Sequence, residues 1–126
     1  MNLFLDDIRS VEMAANYMPP DVAILYRTKR WVIVRNYHEF VHVIEENGLP
    51  ELVSFDHDLA DQHYDPSTWR ESFSYHEKTG LDCAKWMVDY CIKHGEKLPR
   101  YIVHSANPVG RENIIKYLEN FRKHYE

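Results

Sequence analysis

The chain has 126 residues, enough for a single hydrophobic core, and its 44% hydrophobic and 28% charged content is that of a globular domain rather than a disordered or fibrous chain. A formal net charge of −5 argues against the clustered lysines and arginines of a duplex nucleic-acid surface. It leaves room for a small phosphate site, which needs only a few local donors.

The N-terminal MNLFLDDIR reaches acidic residues after five positions, so no signal peptide is expected. No apolar run has the length to span a bilayer, and a cytoplasmic protein with no membrane partner is the expectation. Leu3 to Leu5 form a first strand, which ends at Asp6-Asp7. The stretch from 9 to 30 holds a weak helical pattern (SVEMAANYM), a break at Pro19-Pro20, and then VAILYR running toward WVIVR. That pair reads as a small hairpin around Thr28-Lys29, with Trp31 to Arg35 as a strand and no clear crossover helix before it.

Asn36 is placed to cap a helix, with Glu39 three residues on to close a capping box. Tyr37, Phe40 or Val41, and Ile44 give that helix one apolar face, and Gly48 with Pro50 stops it. Leu52 to Phe55 form the next strand, followed at once by Asp56, His57 and Asp58. Residues 60 to 78, polar and aromatic without a period, read as a long loop. Its Trp69, Phe73 and Tyr75 would either stack on a base or cover the core. Thr79 opens a second helix, with Asp82 three residues later, inward positions Leu81, Ala84, Val88 and Cys91, and an end at Gly95. Cys83 and Cys91 lie two helical turns apart, roughly 12 Å, whereas a disulfide needs Cα atoms within about 7 Å. Both are expected to be reduced. Tyr101 to His104 form the last strand, ending in His104-Ser105, and Asn107-Pro108 caps a third helix with Ile114, Leu118, Phe121 and Tyr125 on its inner face.

Short apolar strands alternating with helices predict one three-layer α/β domain over 1–126, with a short, mainly parallel sheet. In such a sheet ligands bind beyond the carboxyl ends of the strands. Asp6-Asp7, Asp56-His57-Asp58 and His104-Ser105 all fall at that edge. Four carboxylates there (Asp6, Asp7, Asp56 and Asp58) suit a hard divalent cation, Mg²⁺ or Mn²⁺; helix capping and loop bracing are the plainer alternative. The segment HSANPVGR supplies the complementary half. Ser105, Asn107, the amides of Val109 and Gly110, and the Arg111 guanidinium form a candidate phosphate site at a helix N-terminus, with Gly110 letting a ligand come close to the backbone. A solvated helix start is the alternative. His57 and His104 are the candidates for proton transfer, and Asp56 is a candidate nucleophile. His38, His42, His94 and His124 belong to no plausible metal set, while His63 and His76 sit in the long loop.

An acidic pair after strand one, an aspartate after strand three and Ser105-Ala106 after strand four resemble the response-regulator receiver domain. Receivers carry a lysine and proline after a fifth strand; here one helical segment follows HSANPVGR, so a receiver-like (flavodoxin-like) sandwich without the fifth strand is expected. FLDDIR, SFDHDL, TGLDCAKWM and HSANPVGRENI resemble more closely the cyclic-phosphate processing receiver domain, in order and along nearly the whole chain. That resemblance implies metal ligands at Asp6, Asp7 and Asp56 and active-site roles for His57, Asp58, His104, Ser105 and Arg111. It implies processing of a cyclic phosphate of nucleotide or ADP-ribose type, and metal-dependent hydrolysis of a small cyclic phosphate is the leading expectation. Two alternatives stay open, a signalling receiver phosphorylated on Asp56 and a module that senses a phosphorylated ligand without turnover. Nothing in the sequence points to a particular protein partner.

Overall fold

A computed structural model describes residues 1–59 and 78–126. Among these, β1 (Asn2–Leu5), β2 (Val32–Val34), β3 (Leu52–Phe55) and β4 (Arg100–Val103) form one parallel sheet in the order β2-β1-β3-β4. Helices α1 (Val11–Tyr17) and α2 (Pro20–Thr28) join β1 to β2, and α3 (Tyr37–Asn47) joins β2 to β3. Helix α4 (Gly80–His94) precedes β4, and α5 (Pro108–Tyr125) follows it. The polar and aromatic stretch read as a loop, with His63, Trp69, Phe73, Tyr75 and His76, lies outside the described residues except for Lys78.

Side-chain alternation along the strands builds two cores. Leu3, Leu5, Val53 and Phe55 pack with Phe40, Ile44, Met87, Ile114 and Leu118 from α3, α4 and α5. Phe4 faces the other way, into Ala14, Ala15, Ala23 and Tyr26 of α1 and α2. Helices therefore cover both faces, as the expected three-layer, receiver-like α/β architecture requires. Cys83 and Cys91 are free and buried, and burial pushes both thiols up, Cys91 to about 11.

Four expectations are corrected. VAILYR is not half of a hairpin. Pro20 stands at the first helical position, where its missing N–H costs nothing, and carries VAILYR into α2. The first crossover that the sequence reading lacked is thus two helices, α1 being opened by Ser10, whose Oγ accepts from Met13 N–H. Asn36 does cap α3, but Glu39 accepts from the Arg35 N–H rather than from the cap residue, so the box is not reciprocal. Tyr125 is 69% exposed, one turn past the buried Phe121, because the last turn of α5 runs beyond the core.

At α4 the expected capping box is complete, Thr79 Oγ1 accepting from Asp82 N–H and the Asp82 carboxylate from Thr79 N–H. Replacing Thr79 by Ala removes one reciprocal bond and is expected to cost about 1 kcal/mol, measurable as a lower urea midpoint at unchanged slope.

Candidate metal and phosphate site

Three residues each stand one position beyond a strand, where the ladder still holds their backbone. Asp6 N–H donates to Val34 C=O, Asp56 N–H to Leu5 C=O, and His104 N–H to Phe55 C=O. The chain runs from β1 outward to β2, then returns to the other side of β1 for β3, so strand order reverses between β1 and β3. That switch point is where the carboxyl ends of an open α/β sheet leave a crevice. Asp6, Asp7 and Asp56 meet there, with one ligand oxygen from each lying within 4.8 Å of the others.

Asp6 is fully buried and well supplied with donors. Its Oδ1 accepts from the N–H groups of Ile8 (3.0 Å) and Arg9 (2.8 Å), and its Oδ2 from His104 Nε2 at 3.0 Å. Burial alone would raise its pKa, but the His104 bond and the two amides outweigh it and bring the group to about 2. Asp56 is nearly as deeply buried, and among the described residues it has no comparable bonds. Burial first, and then the charges of Asp6 and Asp7, raise it to about 6 against the pull of His104 and Arg9. The Arg9 guanidinium lies 3.4 Å from Asp6 Oδ2 and 3.8 Å from Asp56 Oδ2. Among the described residues, these two buried carboxylates and Asp7 form a hard-oxygen set, and the chemistry of such donors fits Mg²⁺ or Mn²⁺.

His104 is a buried brace for this set. Its ring stacks on Phe4 with centroids 4.5 Å apart, and its Nδ1 lies 2.7 Å from Ser54 Oγ, which is 2.6 Å from the Tyr26 hydroxyl. An ionised Asp6 has no proton to offer, so Nε2 must donate. Its other nitrogen, Nδ1, meets the Ser54 hydroxyl, which pairs in turn with the Tyr26 hydroxyl, a phenol that burial keeps protonated. Tyr17 fixes the backbone by donating its hydroxyl to the His104 carbonyl, and the Arg9 guanidinium lies 5.6 Å over the Tyr17 ring.

Asp58 stands apart from the acidic trio. It is exposed, its Oδ1 is 2.9 Å from His57 Nδ1, and both its oxygens accept from Asn107 Nδ2 at 3.3 Å. The His57 hydrogen bond, the largest influence, holds its carboxyl below the usual range. The helix start read as a phosphate cradle is partly occupied by its own cap: Gly110 N–H donates to Asn107 Oδ1 and Arg111 N–H to Asn107 C=O. Gly110 serves a close approach, but of protein. A Cβ there would lie 2.3 Å from His57 Cγ. Ser105 is buried and its Oγ accepts from Asn107 N–H, while Arg111 is exposed with Nε 3.4 Å from Val103 C=O.

A family model for the cyclic-phosphate processing receiver domain matches residues 1–120. The chain belongs to that family. No curated protein and no solved structure matches it. In this cyclic-phosphate processing receiver domain the described residues give a parallel sheet with an acidic cluster at its switch point, consistent with a receiver-like fold. Among the described residues no helix is long and apolar enough to cross a membrane.

Several contributors escaped sequence reasoning. Arg9 was within sight in FLDDIR, two residues behind the acidic pair. Ser54, a lone hydroxyl in the buried LVSF strand, signalled a buried polar partner. Arg35 ties the β1 and β2 ends together by donating to the carbonyls of Asp6 (3.1 Å) and Arg9 (2.8 Å), and it carried no signal. Gly80 is a second close approach, its N–H donating to His57 C=O and its missing Cβ making room for the Asp56 carbonyl.

The raised Asp56 has a sign that can be checked without divalent ions. Its folded pKa of about 6 exceeds the ordinary 3.8, so the folded state binds the extra proton. Stability from this group is present below pH 3.8 and is lost as pH rises to about 6. In EDTA, Asp56→Asn is expected to be more stable than wild type at pH 7.5, by on the order of 1–3 kcal/mol. The gain should fade toward pH 4, as read by urea unfolding.

Proposed function

We propose that this domain hydrolyses a small cyclic phosphate of nucleotide or ADP-ribose type with the help of a divalent cation. The single observation that carries the reading is the convergence of Asp6, Asp7 and Asp56 at the switch point, in a chain of the cyclic-phosphate processing family. Asp6, Asp7 and Asp56 would hold Mg²⁺ or Mn²⁺, which supplies charge to a phosphoryl oxygen and acidity to a bound water. His104 is a positioning residue in this scheme. It orients Asp6 from behind, as outer-shell donors do for metal-binding carboxylates.

The phosphoryl group would lie between the acidic trio and the start of α5. With the Gly110 and Arg111 amides already bonded, the Ser105 hydroxyl hydrogen, the Val109 amide and the Arg111 guanidinium are the donors assigned to its oxygens. His57, at the end of β3, is the group assigned to the proton. Water adds across one P–O ester bond: its oxygen bonds to phosphorus, the ester oxygen departs and is protonated. Attack by Asp56 itself, as in a signalling receiver, is the competing chemistry.

The test offers the protein a panel of nucleoside 2′,3′-cyclic phosphates and ADP-ribose cyclic phosphate with Mg²⁺ or Mn²⁺, followed by ³¹P NMR. Ring opening that EDTA abolishes is expected, and Asp7→Asn should lower kcat/KM by more than about 10²-fold, the scale of a lost transition-state charge contact. Stable labelling of Asp56 by acetyl phosphate, with no ring opened, would contradict the proposal in favour of a signalling receiver.

A further inference from the structure

The His57 ring is held between Asp58 and Gly110, groups that have no part in gathering the acidic trio. Its Nδ1 lies 2.9 Å from Asp58 Oδ1. Asp58 is itself fixed by Asn107, whose Nδ2 reaches both carboxylate oxygens at 3.3 Å. Asn107 is anchored in turn as the cap of α5, its Oδ1 accepting from Gly110 N–H at 3.0 Å. Gly110 completes the loop, because the space its side chain would take is filled by the imidazole, with Cγ, Nδ1 and Cδ2 at 2.3 to 2.7 Å from a built Cβ. An imidazole can present either nitrogen, and which one carries the hydrogen is set by what the other touches. A carboxylate accepts and cannot donate. Among the described residues Nε2 has no hydrogen-bond partner.

We propose that Asp58 is the positioning residue that holds His57 as its Nδ1–H tautomer, leaving Nε2 as the atom that takes the proton. The inference rests on the hydrolytic reading for its chemistry. Nε2 accepts a proton from the attacking water as the water oxygen bonds to phosphorus, and returns it to the departing ester oxygen, so that one water is consumed and His57 ends as it began. A carboxylate on one imidazole nitrogen, with the other nitrogen left to accept a proton, is the arrangement that orients a histidine base in hydrolases of unrelated fold. The proposal takes Asp58 out of the metal set. It also gives Gly110 a specific task, as the seat of the ring and not of a ligand.

The test reads the tautomer directly, without any substrate. Long-range ¹H–¹⁵N correlation spectra of ¹⁵N-histidine-labelled protein are recorded with Mg²⁺ at mildly alkaline pH, with His57 assigned through His57→Gln. Wild type should show Nδ1 protonated and Nε2 bare. Asp58→Ala should shift the ring toward the Nε2–H form, while calorimetric Mg²⁺ affinity stays within about twofold, which also shows that the variant is folded. A wild-type ring that is already Nε2–H, or an Asp58→Ala ring unchanged from wild type, overturns the assignment. So does a loss of Mg²⁺ affinity of tenfold or more in Asp58→Ala, which would return Asp58 to the metal. These outcomes are separable from failure of the hydrolytic reading, which would leave the tautomer in place and every cyclic ester unopened.

Discussion

Two carboxylates, Asp6 and Asp56, are buried side by side at the ends of adjacent strands, and much of the surrounding structure follows from making that tolerable. Ionised groups removed from water lose several kcal/mol of solvation each unless hydrogen bonds and opposite charge replace it. Among the described residues, one of them is compensated thoroughly and the other hardly at all. Asp6 receives two amides, an imidazole and an arginine, whereas Asp56 has the arginine at the edge of ion-pair distance. The inequality separates the two groups by roughly four pKa units, one at about 2 and the other at about 6. A divalent cation held as proposed would remove the remaining imbalance.

The helical layer formed by α1 and α2 has a purpose beyond covering the sheet. It supplies Tyr26 to the Ser54–His104–Asp6 chain and Tyr17 to the His104 carbonyl, so the brace behind Asp6 depends on the first crossover. Phe4, on the same sheet face, stacks against the imidazole and keeps it flat behind the site. His57 is arranged differently. It is held from the opposite end of the site by Asp58, Asn107 and the glycine of α5. The two histidines that look alike in sequence, each beside a strand end, therefore sit in unlike surroundings, one fully buried between polar partners and one partly open.

The sheet and the helices after it were legible because buried parallel strands are short apolar runs, and because Asn36, Thr79 and Asn107 are strong helix-opening signals. The acidic trio was legible for a related reason: strand ends are easy to locate, and the carboxyl ends of parallel strands share one edge. The first crossover was not, since a double proline resembles a break when it is in fact the start of α2, and the β-rich letters of VAILYR give no periodicity to settle the matter. Asp58 was read with the other acids because sequence records adjacency, not direction. Only its hydrogen bonds, to His57 beside it and to Asn107 at the start of α5, reveal which way it turns. The role of Gly110 was hidden in the same way, as a glycine tells that something approaches and not what.

The central claim is that Asp6, Asp7 and Asp56 form a single divalent-cation site, and Mn²⁺ binding followed by electron paramagnetic resonance tests it most directly. The account predicts saturable loss of the free-ion signal at one Mn²⁺ per chain, competed by Mg²⁺ and abolished in Asp56→Asn, a variant that should remain folded. A signal that stays that of free Mn²⁺ at millimolar ion, or binding that survives unchanged in Asp56→Asn, would contradict it.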